Sequence, residues 1–236
     1  MHDTAMEFGR LFFYTYFKDA RDLRIVDIGA LDVNGTLRSV APPGCEYIGM
    51  DFAPGKGVDV ILTDPYSLPL QDNSVDICVS SSCFEHAEFF WLLFNESMRI
   101  LKPNGVLYIN APSNGNVHRY PVDCWRFYPD SGVALQNWGR RNGYHTVLLE
   151  SFTGKQKKDI WNDFIAVFLK DERYTHSYPH RMIHSFPSHT NGLVFGSSDI
   201  SNTWSLQEDQ ERLSTRLIKW HLKRQARKIK RLLGRL

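Results

Sequence analysis

Short apolar segments alternate with helical ones between residues 24 and 170, and this alternation most constrains what the chain can fold into. Two stretches, 87–101 and 130–142, space their apolar residues as helices do. The segments with the length and composition of buried strands are 24–29, 46–51, 58–62, 74–80, 105–112, 145–150 and 164–170. Strands alternating with helices predict an α/β fold: a mostly parallel sheet with helices on both faces.

Shorter segments flank the predicted sheet domain, residues 24–171. Thr4 and Glu7 have the spacing of a capping box ahead of an apolar-aromatic run, which predicts a helix within residues 1–23. Residues 172–211 are rich in Ser, His, Asn and Pro without clear periodicity, so we expect an irregular connection or a lid there.

Three histidines in that connection have a spacing that a metal site could use. His176, His180 and His184 recur every fourth residue, which on a helix would place three imidazoles on one face. Pro179 interrupts the spacing, and no cysteine or carboxylate completes the set. The sequence therefore predicts no metal site.

Cysteine use and the absence of targeting patterns bear on the compartment. Cys45, Cys78, Cys83 and Cys124 show no CxxC or other metal-ligand spacing, which predicts free thiols in a reduced environment. No run of about 18 apolar residues predicts a membrane span, and the N-terminus lacks the basic-then-apolar order of a signal peptide. We expect a cytoplasmic protein, with a peripheral position on the inner face of the membrane as an open alternative.

The C-terminal segment 212–236 is strongly basic. It holds ten Lys or Arg and no acid, whereas residues 1–211 hold the other 18 of the 28 basic residues against all 26 acidic ones. Its apolar residues recur every three or four positions, which predicts a basic amphipathic helix. Such a helix can lie on an anionic membrane, pack against the domain or another chain, or contact nucleic acid. The sequence leaves these alternatives, and the oligomeric state, open.

Carboxylates and glycines at the ends of successive strands predict a nucleoside site. Asp27 and Gly29 end the first strand, Asp51 ends the second, and Asp64 follows the third. Glycine lets the backbone approach a ligand, and an acid that ends the second strand can accept both ribose hydroxyls. A dinucleotide site needs G-x-G-x-x-G against a pyrophosphate, and GALDVNG (29–35) lacks that pattern.

Four stretches resemble class I S-adenosylmethionine-dependent methyltransferases of the type 11 kind: VDIGALDVNG, YIGMDF, LTDPYSLPLQDNSVDICVSSSCFEHA and RILKPNGVLYINAPS. The resemblance implies a Rossmann-like, seven-stranded sheet whose last strand is antiparallel, with the N-terminal helix covering the cofactor site. It also implies S-adenosylmethionine as cofactor and S-adenosylhomocysteine as product. The implied cofactor residues are Asp27, Gly29, Ala30, Gly35, Asp51, Phe52, Asp64 and Ser81.

The turn after the first strand departs from the family pattern. The family usually has G-x-G-x-G, whereas Leu31 and Val33 replace the second and third glycines here. Asp32 and Asn34 are candidates for polar contacts with the cofactor in their place.

Residues 118–130, HRYPVDCWRFYPD, follow the fifth strand at the edge where substrate loops commonly lie. With SSSCFEHAEFFW, this stretch resembles a bacterial subgroup associated with surface-polysaccharide biosynthesis, which implies a sugar or glycan substrate. Aromatic rings can stack on sugars, and arginines can pair with a phosphate or carboxylate. The candidate substrate residues are Arg119, Tyr120, Trp125 and Arg126, with Phe127 and Tyr128 as further aromatic faces. For Trp125, anchoring the loop in the core is an equal alternative.

A hydroxyl acceptor must lose its proton, and a histidine suits that task near neutral pH. His86 and His118 are the candidate general bases; the alternative for His86 is that it caps the next helix or bonds a backbone carbonyl. Asp123 is expected to orient an imidazole or to pair with Arg126 and hold the loop. We therefore predict an O-methyltransferase, with a nucleic-acid methyltransferase and a non-catalytic binding module as alternatives.

Overall fold

A computed structural model of the chain describes residues 3–157 and 160–204, together with Leu222. All the elements below lie in the unit Met1–Thr203, and a second unit begins at Trp204. Apart from Leu222, the predicted basic helix over residues 212–236 lies outside the described residues. Within the described ranges, no helix reaches the length and apolar content that crossing a membrane requires.

The described chain is built from three α-helices and eight strands, with three short 3₁₀ helices. The helices are α1 (Asp3–Phe17), α2 (Phe90–Ile100) and α3 (Pro129–Arg141), and the 3₁₀ helices are Leu37–Val40, Glu172–Ser177 and Met182–Ser185. The strands are β1 (Arg24–Ile28), β2 (Glu46–Asp51), β3 (Val60–Ile61), β4 (Val75–Ser81), β5 (Leu101–Pro112), β6 (Val147–Gly154), β7 (Asp163–Leu169) and β8 (Thr190–Val194).

The strands form one sheet in the order β3-β2-β1-β4-β5-β7-β6-β8. Strands β1 to β5 pair in parallel, and β7 is antiparallel to both β5 and β6. This confirms the predicted Rossmann-like α/β class and the antiparallel last predicted strand. That strand, however, lies between β5 and β6, and an eighth strand, β8, forms the sheet edge beside β6.

Residues 172–204 are more regular than the sequence predicts. The segment contains two 3₁₀ helices and β8, which pairs with β6 through Glu150–Val194 and Ser151–Leu193. The strand TNGLV is short and contains Asn and Gly, so its local sequence is a weak strand signal. Its pairing with β6, distant along the chain, defines it instead.

Two boundaries predicted from local signals also differ. Strand β5 begins at Leu101, so the segment LKPNG, predicted as a turn, lies within the strand where its pairing with β4 shifts register between Val75 and Ile77. At the N-terminus, Thr4 lies inside α1, and its hydroxyl donates to Asp163 at 2.5 Å. Thr4 therefore ties α1 to β7 and does not act as a helix cap.

Helices cover both faces of the sheet. On one face, α1 buries Phe8, Phe12 and Phe13, and the ring of Phe12 stacks on Tyr108 of β5 with 4.6 Å between centroids. On the other face, Phe94 of α2 meets the ring of Phe168 edge-on at 5.0 Å. Full burial of one such ring stabilises the fold by about 1.5–3 kcal/mol. The packed faces fix the strands and, with them, the turns at their carboxyl ends.

Candidate functional site

A cavity of about 1020 Å³ opens at the carboxyl ends of the parallel strands. It is lined by the turns after β1, β2 and β4 and by residues 118–122 beyond β5. Ligands of open α/β sheets bind at this edge, and the volume matches sites for small-molecule ligands, which span about 300–1,000 Å³. No described residue of α1 is among the lining, although Met6 of α1 lies beside Gly35, which does line the cavity.

Asp27 lies at the cavity wall, near the end of β1, and is almost completely buried. The hydroxyl of Tyr47 donates to Asp27 Oδ2 at 2.7 Å. Burial raises the pKa of the Asp27 carboxyl to about 6, although the Tyr47 hydrogen bond opposes this rise. The site thus holds a carboxylate that a cationic ligand group would stabilise.

The turn after β1 is tight and is fixed to β2. The backbone N–H groups of Gly29 and Ala30 donate to the carbonyl of Met50 at 2.9 and 3.1 Å. Gly29 has φ +81°, and a Cβ added to it would lie 2.5 Å from Cys83 Cβ. Gly35, with φ +128°, closes the turn. The structure therefore requires glycine at position 29 in spite of the changed family pattern.

Asp32 does not line the cavity, contrary to the expectation that it contacts a cofactor. Its Oδ1 accepts the N–H of Gly35 at 2.8 Å, and its Oδ2 pairs with Lys56 at 2.7 Å. These contacts hold the turn closed. Asn34 does line the cavity, as predicted for a polar contact.

Asp51 is positioned at the carboxyl end of β2, with its side chain at the cavity. Its Oδ2 accepts the N–H of Leu31 at 3.2 Å, and its Oδ1 accepts that of Ala53 at 3.0 Å. The two backbone groups orient the carboxylate and leave acceptor capacity for hydroxyls. The adjacent Phe52 lines the cavity and is 52% exposed, which gives an open aromatic face.

Asp64, predicted to contact an adenine, is not among the residues that line the cavity. Its carboxylate is exposed and accepts the N–H of Tyr66 at 2.9 Å, within its own turn. The turn thereby presents Pro65 and Tyr66 to the cavity in place of Asp64. Sequence position alone could not show which side chain of this turn points inward.

The end of β4 brings two serines to the cavity. Ser81 lines it as predicted, and its buried hydroxyl has no hydrogen-bond partner within the described chain. Ser82, which the sequence analysis did not select, has φ +55° and donates its N–H to the Asn110 carbonyl at 2.9 Å. A non-glycine residue in this conformation is uncommon, and such backbone strain recurs at active sites.

Two of the four predicted substrate residues line the cavity. Arg119 and Tyr120 are exposed there, and the Tyr120–Pro121 peptide bond is cis. Arg119 makes no hydrogen bond or ion pair with any part of the chain that the structure describes. It is therefore available for an anionic group of a ligand.

The other two predicted substrate residues hold the loop instead. The indole of Trp125 donates to the Ala87 carbonyl at 3.0 Å, and its ring meets Phe90 edge-on. Arg126 donates to both oxygens of Asp123, at 2.6 and 2.8 Å. Neither Trp125 nor Arg126 lines the cavity, so the anchoring alternatives for Trp125 and Asp123 describe the structure better.

The two further aromatic residues of the loop do not face a substrate either. Phe127 is buried and stacks on Phe164 with 5.5 Å between the centroids. Tyr128 is the N-cap residue of α3 and forms a capping box with Ser131. Packing against β7 orients Phe127, and the start of α3 fixes the backbone of Tyr128.

The two candidate bases lie together at the cavity. The rings of His86 and His118 meet edge-on with centroids 4.9 Å apart. His86 Nδ1 contacts the carbonyl of Val122, which is the carbonyl bond considered from sequence. Asp123 accepts the backbone N–H of His118 at 2.7 Å, and its Oδ2 lies 3.4 Å from His118 Nδ1. Burial lowers the pKa of His86, although the Val122 contact opposes this.

Glu85 joins this pair and is the residue that sequence analysis missed. Its side chain is only 1% exposed, and burial raises the pKa of its carboxyl to about 8. Its backbone carbonyl accepts the N–H groups of Cys124 and Trp125 at 2.8 and 3.1 Å, which ties it to the loop after β5. Nothing in the local sequence FEHAE indicates that Glu85 is buried, because its contacts with Cys124 and Trp125 come from a distant segment.

The histidines of residues 172–204 do not come together as a metal site. His176 lies in one 3₁₀ helix, His184 in another, and His180 between them. Across the described ranges, three metal-capable groups meet only at Glu85, His86 and His118. The four cysteines are free thiols.

The comparisons with known proteins agree with this architecture. Residues 26–109 match the family described as methyltransferase domain. An uncharacterized methyltransferase of Mycobacterium bovis (strain BCG / Pasteur 1173P2) is 29% identical in an alignment 119 positions long that covers 46% of this chain and 46% of the relative. The chain thus spans about half the length of the curated relatives it matches.

Two solved structures show the same fold. The 1,6-didemethyltoxoflavin-N1-methyltransferase of Burkholderia thailandensis has a TM-score of 0.57 at 13% identity, over 71% of this chain and 79% of its own. The cyclase SpnF has a TM-score of 0.52 at 14% identity, over 70% of this chain and 81% of its own. At such identities the likeness concerns the fold and not the reaction. The chain has the Rossmann-like methyltransferase fold, and its residues 26–109 match the methyltransferase-domain family.

Proposed function

We propose that the chain is an S-adenosylmethionine-dependent methyltransferase that methylates a hydroxyl of a sugar or glycan. The observation that carries the proposal is the oriented carboxylate of Asp51 at the carboxyl end of β2, beside the tight Gly29 turn in the same cavity. The Burkholderia methyltransferase was solved with S-adenosylhomocysteine and its substrate bound, so this fold accommodates both ligands in that protein.

The residues at the cavity fit the cofactor. Asp51 would accept the ribose hydroxyls, and Phe52 offers an apolar face beside them. The buried carboxylate of Asp27, which lacks a cationic partner at hydrogen-bond distance in the described chain, suits the ammonium of the methionine end. Ser81 supplies a buried hydroxyl that has no hydrogen-bond partner among the described residues. The cofactor supplies an electrophilic methyl group on a sulfonium.

The acceptor would enter past residues 118–122. Exposed Tyr120 can stack on a sugar ring, and Arg119 can pair with a phosphate or carboxylate that the sugar carries. In the reaction, the acceptor oxygen forms the new C–O bond as the C–S bond breaks, and the hydroxyl proton passes to a group in the cavity. His86 and His118 line the cavity and are the candidates for that group. Alignment of the reacting atoms supplies much of the acceleration.

Binding of the cofactor tests the first half of the proposal. In titration calorimetry, Asp51→Asn should weaken S-adenosylmethionine binding by about 10- to 100-fold, since charged hydrogen bonds to hydroxyls contribute about 1.5–3 kcal/mol. Asp64→Asn is the matched control, because Asp64 lies outside the cavity lining and should leave the affinity unchanged. Equal affinity in wild type and Asp51→Asn would contradict the proposed cofactor site.

A turnover screen tests the acceptor. Nucleotide sugars, glycans and RNA are offered with the methyl donor, and methylated products are detected by mass spectrometry. Transfer to a sugar hydroxyl supports the proposal, whereas RNA methylation with a steep salt dependence would favour the nucleic-acid alternative. Cofactor binding without any transfer would favour the non-catalytic alternative.

The basic segment 212–236 adds a proposed location. Ten basic residues next to an anionic bilayer would contribute about 1 kcal/mol each before screening, and would hold the enzyme near a lipid-linked glycan. Vesicle flotation of the full chain and of a chain ending at residue 211 tests this, and equal flotation would count against membrane docking.

A further inference from the structure

Glu85, His86 and His118 bring three metal-ligating groups to one wall of the cavity. One ligand atom of each residue lies within 4.8 Å of those of the other two. Three ligands of one ion at bond lengths of about 2.0–2.2 Å lie about 3.3–3.8 Å apart in a tetrahedral or trigonal arrangement, so side-chain shifts of about 1–1.5 Å would close the set. All three residues line the cavity, which leaves room for further ligands.

Each of the two imidazoles makes a hydrogen-bond contact through Nδ1, and in the described chain its Nε2 makes none. His86 Nδ1 contacts the Val122 carbonyl, which can only accept, so Nδ1 carries the proton and Nε2 carries the lone pair. His118 Nδ1 faces the Asn116 carbonyl at 3.3 Å and Asp123 Oδ2 at 3.4 Å, which assigns the same tautomer. Metal-binding histidines are typically oriented in this way, by a carbonyl or carboxylate on the second nitrogen.

The Glu85 carboxyl group is buried with few partners in the described chain, and its own backbone N–H is one of them. Glu85 Oε2 is buried without a hydrogen bond in the described chain, and Oε1 lies 3.7 Å from His86 Nε2, beyond direct hydrogen-bond distance. A buried carboxyl group stays protonated unless its ionised form is paired with a cation or coordinates a metal. The charge of Arg126 acts on Glu85, but its guanidinium donates to both oxygens of Asp123.

We propose that Glu85, His86 and His118 bind a divalent transition-metal cation. Two imidazole nitrogens and one carboxylate oxygen, with open positions toward a cavity, suit Mn²⁺, Fe²⁺, Co²⁺ or Zn²⁺, whereas Mg²⁺ prefers oxygen ligands alone. This revises the sequence-based expectation that the chain has no metal site. That expectation considered the histidines of residues 172–211 and not this cluster.

The role of this metal site rests on the proposed function, because the metal would act on the acceptor hydroxyl. A divalent cation beside the acceptor would favour the ionised form of a hydroxyl that reaches it, so that the proton is lost to solvent and neither histidine needs to serve as the base. His86 and His118 would then act as ligands, and Asp123 as a positioning residue that holds His118 through Nδ1.

Metal binding can be measured without any methyl transfer. The full chain, without a histidine tag and treated with a chelator, is titrated with Co²⁺, and the visible absorption bands and the heat of binding are recorded. We expect one Co²⁺ per chain. Glu85→Gln, which keeps the side-chain shape, and His118→Gln should each weaken binding by about tenfold or more. Circular dichroism checks that each variant is folded.

The matched control is His176→Gln, since His176 lies in a 3₁₀ helix outside the cavity lining and should not change Co²⁺ affinity. The absence of Co²⁺ binding in the wild-type chain, or equal affinity in wild type and both ligand variants, would overturn the metal site. A parallel titration with S-adenosylmethionine separates the two proposals: Co²⁺ binding without cofactor binding would remove the proposed function and leave the metal site standing.

Discussion

Replacing Asp27 by asparagine should make the ligand-free chain more stable at high pH and weaken its binding of S-adenosylmethionine. Asp27 is buried, and within the described chain only the Tyr47 hydroxyl donates to its carboxylate. Burial raises the pKa of this carboxyl from 3.8 to about 6. The folded chain therefore binds this proton more tightly than the unfolded chain does, and its stability falls as the pH rises through this interval.

The size of the effect follows from the two pKa values. The pKa of Asp27 rises from 3.8 to about 6 on folding, and each pKa unit corresponds to about 1.36 kcal/mol. The buried carboxyl therefore lowers the free energy of unfolding by about 3 kcal/mol at about pH 8 and by about 1 kcal/mol at about pH 4.5. The substituted asparagine carries no charge, and its amide oxygen can still accept from Tyr47. The difference in unfolding free energy between Asp27→Asn and wild type should therefore increase by about 2 kcal/mol between these pH values.

Urea denaturation of both proteins at the two pH values measures this difference. Asp19→Asn is the control for loss of one negative charge, because the Asp19 side chain is 89% exposed. A difference between Asp27→Asn and wild type that does not change with pH would refute the assignment of a buried, titrating carboxylate. Unchanged cofactor affinity in Asp27→Asn would refute its proposed contact with the methionine end.

Two further changes test the cavity. Gly29→Ala and Gly143→Ala should each lower the free energy of unfolding by about 1–2 kcal/mol, because both positions have a left-handed backbone. Only Gly29→Ala adds a clash, with Cys83, so only this variant should bind the cofactor more weakly in calorimetry. Equal effects of the two variants would contradict the close packing of the turn. Arg119→Ala should raise the KM for an anionic acceptor severalfold and leave thermal stability unchanged, since Arg119 has no ion pair in the described chain; an unchanged KM would remove its proposed role.

The sequence predicts best what depends on local pattern. Asp27, Gly29 and Asp51 could be located because each ends a strand whose apolar run is visible in the sequence, and parallel strands carry their ends to one edge. The boundaries of α3 also follow local signals, with Pro129 at its start and Gly143, at φ +89°, after its end.

What the sequence does not predict depends on contacts between distant segments. Glu85 is buried where the loop after β5 meets it, since the N–H groups of Cys124 and Trp125 both donate to its backbone carbonyl. Arginine chemistry predicts an anionic substrate group for Arg126, but Asp123, three residues away, accepts from both of its terminal nitrogens in the folded loop. Strand β8 is defined by its pairing with β6 and has little strand character of its own.

The sheet divides the molecule into a half that carries the cavity and a half that supports it. Strands β1 to β5 and their turns supply nearly all of the lining, whereas beyond residue 122 the lining contains only Trp161 among the described residues. The family match over residues 26–109 coincides with the first half. Mutations that preserve apolar packing in β6, β7 and β8 should therefore accumulate during evolution without altering the shape of the cavity.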